Sequence, residues 1–256
     1  MANFNYGTIY GDYGDEKITS TTNDSGNIIG TRMILPDGRV FRYAFSNGAA
    51  GAGTGVQSSV AIANHDQGLA VNSAVAVGEK SVSITFGTSP DTDVTEDQYA
   101  NGYIFFNTAG GSGTLYRIRT HASANVDGSP AIDIHLQDGD TIIEALTTSS
   151  KAGLVANPFM HTIPSPGGAQ TGRTIGFTTC DVADNSYFWA QTWGEAAVEV
   201  DGTLVIFTPV RMSDGQAGAV EAYSSDTDSE EQVVGFATNI LAADEHFQFV
   251  QLTIAP

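Results

Sequence analysis

Five Asp-Gly pairs set the strongest limit on what this chain can fold into. They begin at Asp37, Asp127, Asp138, Asp201 and Asp214. Such pairs favour tight turns between antiparallel strands, because glycine readily adopts the backbone conformations that these turns need. The chain also has 27 threonines but only nine leucines, and threonine suits strands whereas leucine suits helices. The pattern predicts an all-β fold, an antiparallel β-barrel or sandwich in one or more domains.

Alternation of apolar and polar residues locates the individual strands. Residues 32–43 predict a hairpin around Pro36-Asp37-Gly38, and residues 197–207 predict a second one around Asp201-Gly202. Trp189 and Trp193 are expected on one strand face near Tyr187, where they could form a sugar platform, but we expect them to belong to the core. Residues 56–77 fit neither a strand nor a helix period. Further strands are predicted at residues 81–86, 103–106, 131–136, 186–193 and 247–254.

The distribution of apolar residues divides the chain into three parts. Residues 1–29 have little apolar periodicity and predict an extended N-terminal arm, whose Tyr6, Tyr10 and Tyr13 are candidate partner-binding residues. Deleting residues 1–20 is accordingly expected to leave a folded β domain. Residues 30–80 predict a hairpin followed by a connecting region rich in small residues. Residues 81–256 predict the main β domain.

The charge of the chain argues against several kinds of partner. Ten basic residues against 29 acidic ones give a formal net charge of −19. Such a chain is repelled by phosphate backbones and by anionic lipid, so we expect neither nucleic acid nor membrane as a partner. No apolar run approaches the ~20 residues that span a bilayer. The first residues lack the features of a secretory signal, and we expect synthesis in a host cytoplasm.

Local motifs for catalysis or metal binding are not evident, and we predict no catalytic residues, no metal site, no cofactor and no enzymatic activity. His65-Asp66 is the one pair that could form part of a triad, but a polar loop explains it equally well. Cys180, the single cysteine, is expected to be a small buried residue. The acidic segment with Asp91, Asp93 and Asp97 is a possible calcium site, although a solvated loop is the preferred interpretation.

Several segments, in order along nearly the whole chain, resemble a group of uncharacterised proteins encoded by tailed phages of aquatic bacteria. The opening segment Phe4 to Lys17 carries this resemblance, together with several later ones. These are Gly30-Thr31-Arg32, Leu35 to Phe41, Ala63-Asn64-His65, Gln98 to Tyr103, Ala156 to Phe159, Gln191 to Gly194, Val200 to Ile206 and Leu252-Thr253-Ile254.

The resemblance implies a virion structural protein of the capsid module, with no catalytic residues to transfer. We expect a decoration or cement protein on the capsid exterior, bound to the major capsid protein and to itself. By analogy of role with other cement proteins, we expect a homotrimer. One alternative is a phage tail or fibre component that contacts the host. A second is a carbohydrate-binding or carbohydrate-active β protein.

Overall fold

The computed structural model describes residues 7–23, 25–86, 93–125, 131–224, 231–239 and 246–256. The prediction of an all-β fold is confirmed, since 41% of the chain is strand and 1% is helix. The chain forms two compact units. Unit 1 comprises residues 1–59 and 158–256, and unit 2 comprises residues 60–157.

Unit 2 is a closed antiparallel barrel with the strand order β10-β5-β6-β9-β8-β7. Alternate residues point inward and fill the interior, among them Val82, Ile84, Ile104, Ile118 and Ile134, all fully buried. Its strands are β5 (Leu69–Val71), β6 (Ser81–Thr85), β7 (Tyr103–Thr108), β8 (Leu115–His121), β9 (Ala131–Leu136) and β10 (Lys151–Val155).

Unit 1 is an eleven-stranded sheet, and a 3-10 helix at Asp15–Lys17 precedes most of its strands. The sheet contains strands from both ends of the chain. They are β1 (Ile9–Tyr10), β2 (Arg32–Ile34), β3 (Val40–Phe45), β4 (Gly55–Gln57), β11 (Ile163–Pro164), β12 (Thr174–Phe177), β13 (Tyr187–Val200), β14 (Pro209–Met212), β15 (Val220–Ala222), β16 (Gly235–Ala237) and β17 (His246–Thr253).

The long strand β13 organises unit 1. Its first half pairs with β3 and its second half pairs with β17, both antiparallel. The pairings β13–β15, β15–β14, β14–β16, β16–β17 and β17–β13 then form a closed circuit. Apolar side chains from the circuit strands form one core cluster, in which Val198, Val200, Val210, Val250 and Leu252 are fully buried.

The unit boundaries differ from those expected at residues 30 and 81. Unit 2 begins at residue 60, inside the expected connecting region, and the expected main domain is divided between both units. The reason is long-range pairing. Strand β3 finds its partner in β13, about 150 residues further along the chain, and no local pattern reveals that distance.

The predicted hairpin at residues 32–43 is confirmed as β2 and β3, and Gly38 in its turn has a φ of 85°. The hairpin predicted at residues 197–207 is wrong. Residues 203–207 form no strand, and the second half of β13 pairs with β17 instead. Leu204 is fully buried, whereas Val205, Ile206 and Phe207 are exposed.

The structure does not confirm an extended N-terminal arm. Ile9 in β1 pairs with Met33 in β2, the side chain of Glu16 is buried, and Ser20 forms a β-bridge with Tyr187. Ile29 belongs to the same buried cluster as Met33. The described part of residues 7–29 therefore lies on its own unit, because the backbone of β1 satisfies hydrogen bonds at the free edge of β2.

Deleting residues 1–20 is now expected to lower the stability of unit 1 by roughly 2 kcal/mol or more, because it removes the β1 ladder, the packing of Ile9 and the buried Glu16. Thermal denaturation followed by circular dichroism measures the change. The matched control is Tyr10→Ser, which removes a side chain that is 84% exposed and keeps the β1 backbone. A truncated protein as stable as the full chain would contradict the conclusion that the N-terminal segment is a packed part of unit 1.

Candidate functional site

A groove with a volume of about 820 Å³ lies in unit 1 on the outer face of strands β13 and β17. Its floor consists of alternate residues of the two paired strands: Trp193, Glu195 and Ala197 from β13, and Phe247, Phe249 and Gln251 from β17. Because side chains alternate across a sheet, the residues between them face the core cluster instead. Phe247 and Phe249 are each 55% exposed, so the floor presents two open aromatic rings.

Gly53 allows the ring of Phe247 to rest directly against the backbone. A Cβ atom at this position would lie 2.6 Å from Cε1 of Phe247 and 2.9 Å from the carbonyl oxygen of Ala197. The φ of Gly53 is 76°, in the left-handed region that other residues rarely adopt. The sequence therefore needs glycine here to hold this part of the floor in place.

Arg39 stands at the wall of the groove, and its guanidinium group is held from three sides. Its Nε donates to Oδ2 of Asp37 at 2.7 Å, and its Nη2 lies 3.5 Å from Oε1 of Glu16. Its Cζ also lies 5.6 Å from the centre of the Phe41 ring, within cation–π distance. Gly194 gives the side chain room, since a Cβ there would come within 3.0 Å of Cγ of Arg39.

Hydrogen bonds also hold the carboxylates of Glu16 and Asp37 beside Arg39. Glu16, which is 3% exposed, accepts a hydrogen bond from the backbone N–H of Gly14 at 2.7 Å. Burial acts to raise the pKa of Asp37, but hydrogen bonds from Arg39 outweigh it and hold that pKa below its usual value. The wall therefore presents the partly exposed Asp37 carboxylate next to the Arg39 guanidinium, which the buried Glu16 carboxylate helps to hold.

The two tryptophans have different environments. Trp189 lies in a buried cluster, and its ring centre is 4.9 Å from that of Tyr43, as expected for a core residue. Trp193 is only half-buried and lines the groove. A register shift in the β3–β13 ladder falls between Gln191 and Trp193 and separates the two positions. The expectation that both tryptophans belong to the core is wrong for Trp193.

His65 lies in a turn of unit 2 with exposed polar neighbours, as the loop interpretation predicts, but its own side chain is fully buried. Its Nδ1 is 2.7 Å from the hydroxyl of Tyr99, and the backbone N–H of Tyr99 donates to Nε2 of His121 at 2.9 Å. Burial, and secondarily the charge of Asp66, raise the pKa of the Tyr99 hydroxyl. The Phe86 ring packs against the His65 ring with centres 4.9 Å apart, and Nδ1 of His121 lies 2.9 Å from the carbonyl oxygen of Ala122.

The predicted partner-binding tyrosines are only partly described. Tyr10 and Tyr13 are 84% and 65% exposed on the folded N-terminal segment. Tyr6 lies outside the described residues. Partner binding by these three residues stays a prediction.

The acidic segment considered for calcium is also only partly described, because Asp91 lies outside the described residues. The carboxylate of Asp97 accepts hydrogen bonds from the Thr120 hydroxyl at 2.6 Å and from the backbone N–H of His121 at 3.0 Å. These bonds tie Asp97 to strand β8. Within the described ranges, no group of three or more His, Cys, Asp or Glu residues could hold a metal ion.

Cys180 is only partly buried, in contrast to the expectation. Its Sγ donates to the carbonyl oxygen of Lys17 at 3.4 Å. Burial and the nearby carboxylates of Asp181 and Glu16 raise the pKa of the thiol. This environment favours the neutral thiol over the reactive thiolate.

Arg211 on β14 forms a second charge cluster. Its guanidinium group reaches Glu221 at 2.5 Å, Glu231 at 2.8 Å and Asp214 at 3.1 Å, and its Nη1 donates to the carbonyl oxygen of Met212. The Arg211 side chain is 7% exposed. A single buried cation therefore offsets three carboxylates that would otherwise repel one another.

No family of known proteins, no curated protein and no solved structure matches the chain. Across the described ranges, no helix has the length and hydropathy needed to cross a membrane.

Replacing Arg211 by methionine is expected to destabilise unit 1 by about 2–4 kcal/mol, because it leaves a partly buried carboxylate cluster without its cation. Urea denaturation measures the loss. The matched control is Arg119→Met, which removes an arginine that is 48% exposed and lies 3.7 Å from Asp138. The control should cost less than about 1 kcal/mol, as exposed ion pairs do.

The stability lost by replacing Arg211 with methionine should depend on pH. Burial raises the pKa of Glu221, and the charge of Arg211 opposes that rise. A carboxyl whose pKa is raised on folding contributes stability at low pH, and this contribution is lost as the pH rises through the folded pKa. Without Arg211 the pKa of Glu221 rises further. The decrease in the free energy of unfolding should therefore be larger at about pH 7 than at about pH 4. An equal deficit at both values would contradict the electrostatic explanation.

Proposed function

We propose that this chain is a structural protein of a tailed-phage virion that attaches to the capsid exterior and bridges neighbouring capsid subunits. The observation that carries the proposal is an exposed apolar surface on unit 1, here called the apolar ridge. It consists of Val205, Ile206, Phe207 and Phe236, which are 56%, 39%, 79% and 42% exposed.

Hydrogen bonds hold the ridge in place. The backbone N–H of Phe207 donates to the carbonyl oxygen of Ala237 at 2.8 Å. The N–H of Ala237 in turn donates to the carbonyl oxygen of Thr208 at 2.9 Å. Phe236 precedes Ala237 on β16, so the two phenylalanines lie on neighbouring segments of backbone. Backbone hydrogen bonds to β16 therefore fix the position of the ridge.

An exposed ridge of this kind favours attachment to another protein. Burying apolar surface contributes roughly 25 cal/mol per Å², and phenylalanine is among the larger apolar side chains. Contiguous apolar surface on a soluble protein commonly marks an interaction site. The net charge of −19 keeps the free protein soluble until the ridge is covered.

The major capsid protein is the partner that we propose for the ridge. Tyr10 and Tyr13 supply a second set of exposed aromatic contacts, and two linked contacts on different subunits raise the effective affinity. Self-association as a trimer is part of the same proposal, because a decoration protein at a three-fold position meets two copies of itself.

Replacing both ridge phenylalanines, as Phe207→Ser with Phe236→Ser, is expected to weaken capsid binding at least about tenfold, because it removes two apolar side chains from the contact. Cosedimentation with shells assembled from the major capsid protein of the same genome measures binding. The matched control is Leu115→Ser with Ile143→Ser, which removes two exposed apolar residues of unit 2.

The same cosedimentation assay with purified tails tests the alternative that the chain is a tail component. Binding of the wild-type chain to tails and not to shells would replace the capsid proposal with the tail component. Equal shell binding by the ridge variant and the unit 2 control would show that the ridge is not the attachment surface.

A further inference from the structure

We propose that the groove on β13 and β17 binds a neutral oligosaccharide, an activity separate from attachment through the apolar ridge. The groove lies within unit 1, and its volume of about 820 Å³ falls in the range of ligand pockets. A virion protein with such a site would hold surface glycans of a cell or of the surrounding medium.

The floor of the groove suits the apolar faces of sugar rings. Phe247 and Phe249 lie two residues apart on one strand, so their rings are spaced by roughly 7 Å along β17. Ala197 is directly opposite Phe249 in the ladder, and its small side chain leaves space above the floor. Trp193, further along the same face of β13, adds a third aromatic surface. Together they form an elongated aromatic platform.

The walls of the groove suit the hydroxyl groups at the edges of sugar rings. Each hydroxyl both donates and accepts a hydrogen bond, so a site for several of them needs donors and acceptors side by side. The partly exposed Arg39 guanidinium and Asp37 carboxylate provide this arrangement on one wall. Glu195 and Gln251, paired across the ladder, add a carboxylate and an amide on the floor.

The charge of the groove favours a neutral ligand. Two cations, Lys17 and Arg39, face three carboxylates, Glu16, Asp37 and Glu195, among the residues that line it. Arg39 is already paired with Asp37 and Glu16, so its charge is offset before any ligand binds, and the lining carboxylates outnumber the cations. The net charge of −19 on the chain repels polyanionic glycans in addition.

An extended peptide fits the groove less well. Peptides that bind sheets add a strand at a free edge and use the unpaired backbone groups there. The floor of this groove is a sheet face, and β17 is paired with β13 on one side and with β16 on the other. Recognition must therefore come from side chains, which is how aromatic platforms bind sugars.

Titration of the full chain with maltohexaose, cellohexaose, laminarihexaose and chitohexaose tests the proposal. Trp193 lies in the groove and Trp189 in the core, so intrinsic fluorescence should report binding through Trp193, with isothermal titration calorimetry as the independent measurement. We expect at least one hexasaccharide to give a saturable signal. Phe249→Ala should weaken it about tenfold or more, because it removes half of the phenylalanine platform.

The matched control is Leu115→Ala, which removes a unit 2 side chain that is 59% exposed and should leave glycan binding unchanged. Circular dichroism checks that both variants are folded. An absence of binding to all four hexasaccharides at millimolar concentration overturns the proposal, as does equal binding by Phe249→Ala and the wild type. Equally strong binding of an oligogalacturonate overturns the assignment to neutral glycans. Shell cosedimentation of Phe249→Ala at the wild-type level would show that the groove acts apart from the ridge.

Discussion

Strand β13 has backbone hydrogen-bonding partners on both sides, and the architecture of unit 1 depends on how it divides them. Its ladder with β3 shifts register between Gln191 and Trp193 and ends at the pair Trp193–Val40, where its ladder with β17 begins. The Gln191 side chain, 1% exposed, stabilises this point by donating to the carbonyl oxygens of Trp193 and Glu195. Thr192 accepts backbone hydrogen bonds from Ile254 and Ala255 on its carbonyl oxygen. One irregular point thus joins the two ladders and the C-terminal segment.

The β13–β17 pairing also creates two faces with different roles. Alternation places Val250 and Leu252 in the core, while Phe247 and Phe249 face outward. An ordinary solvent-facing strand would carry polar residues at the outward positions. Here aromatic residues occupy them, and the walls around Arg39 convert the open face into a groove.

Two charge clusters, one around Arg39 and one around Arg211, stand out in this acidic chain because it has few cations. With ten basic residues against 29 acidic ones, most carboxylates have no positive partner of their own. Arg39 and Arg211 each gather more than one carboxylate, and Arg211 does so while nearly buried. Arg39 shapes the groove wall, whereas Arg211 stabilises the closed circuit of strands at β14.

Local sequence patterns determined the all-β class, the hairpin at residues 32–43 and most strand positions, because alternation and Asp-Gly turns act over a few residues. Because side chains alternate along a strand, the predicted strand at residues 247–254 also implies that Phe247 and Phe249 face away from Val250. Only the tertiary structure decided that β17, rather than residues 203–207, pairs with β13. The pairing of β3 with β13 then brought Arg39 beside Trp193 at the wall of the groove. These two pairings join residues roughly 50 and roughly 150 positions apart, and short-range periodicity carries no information about them.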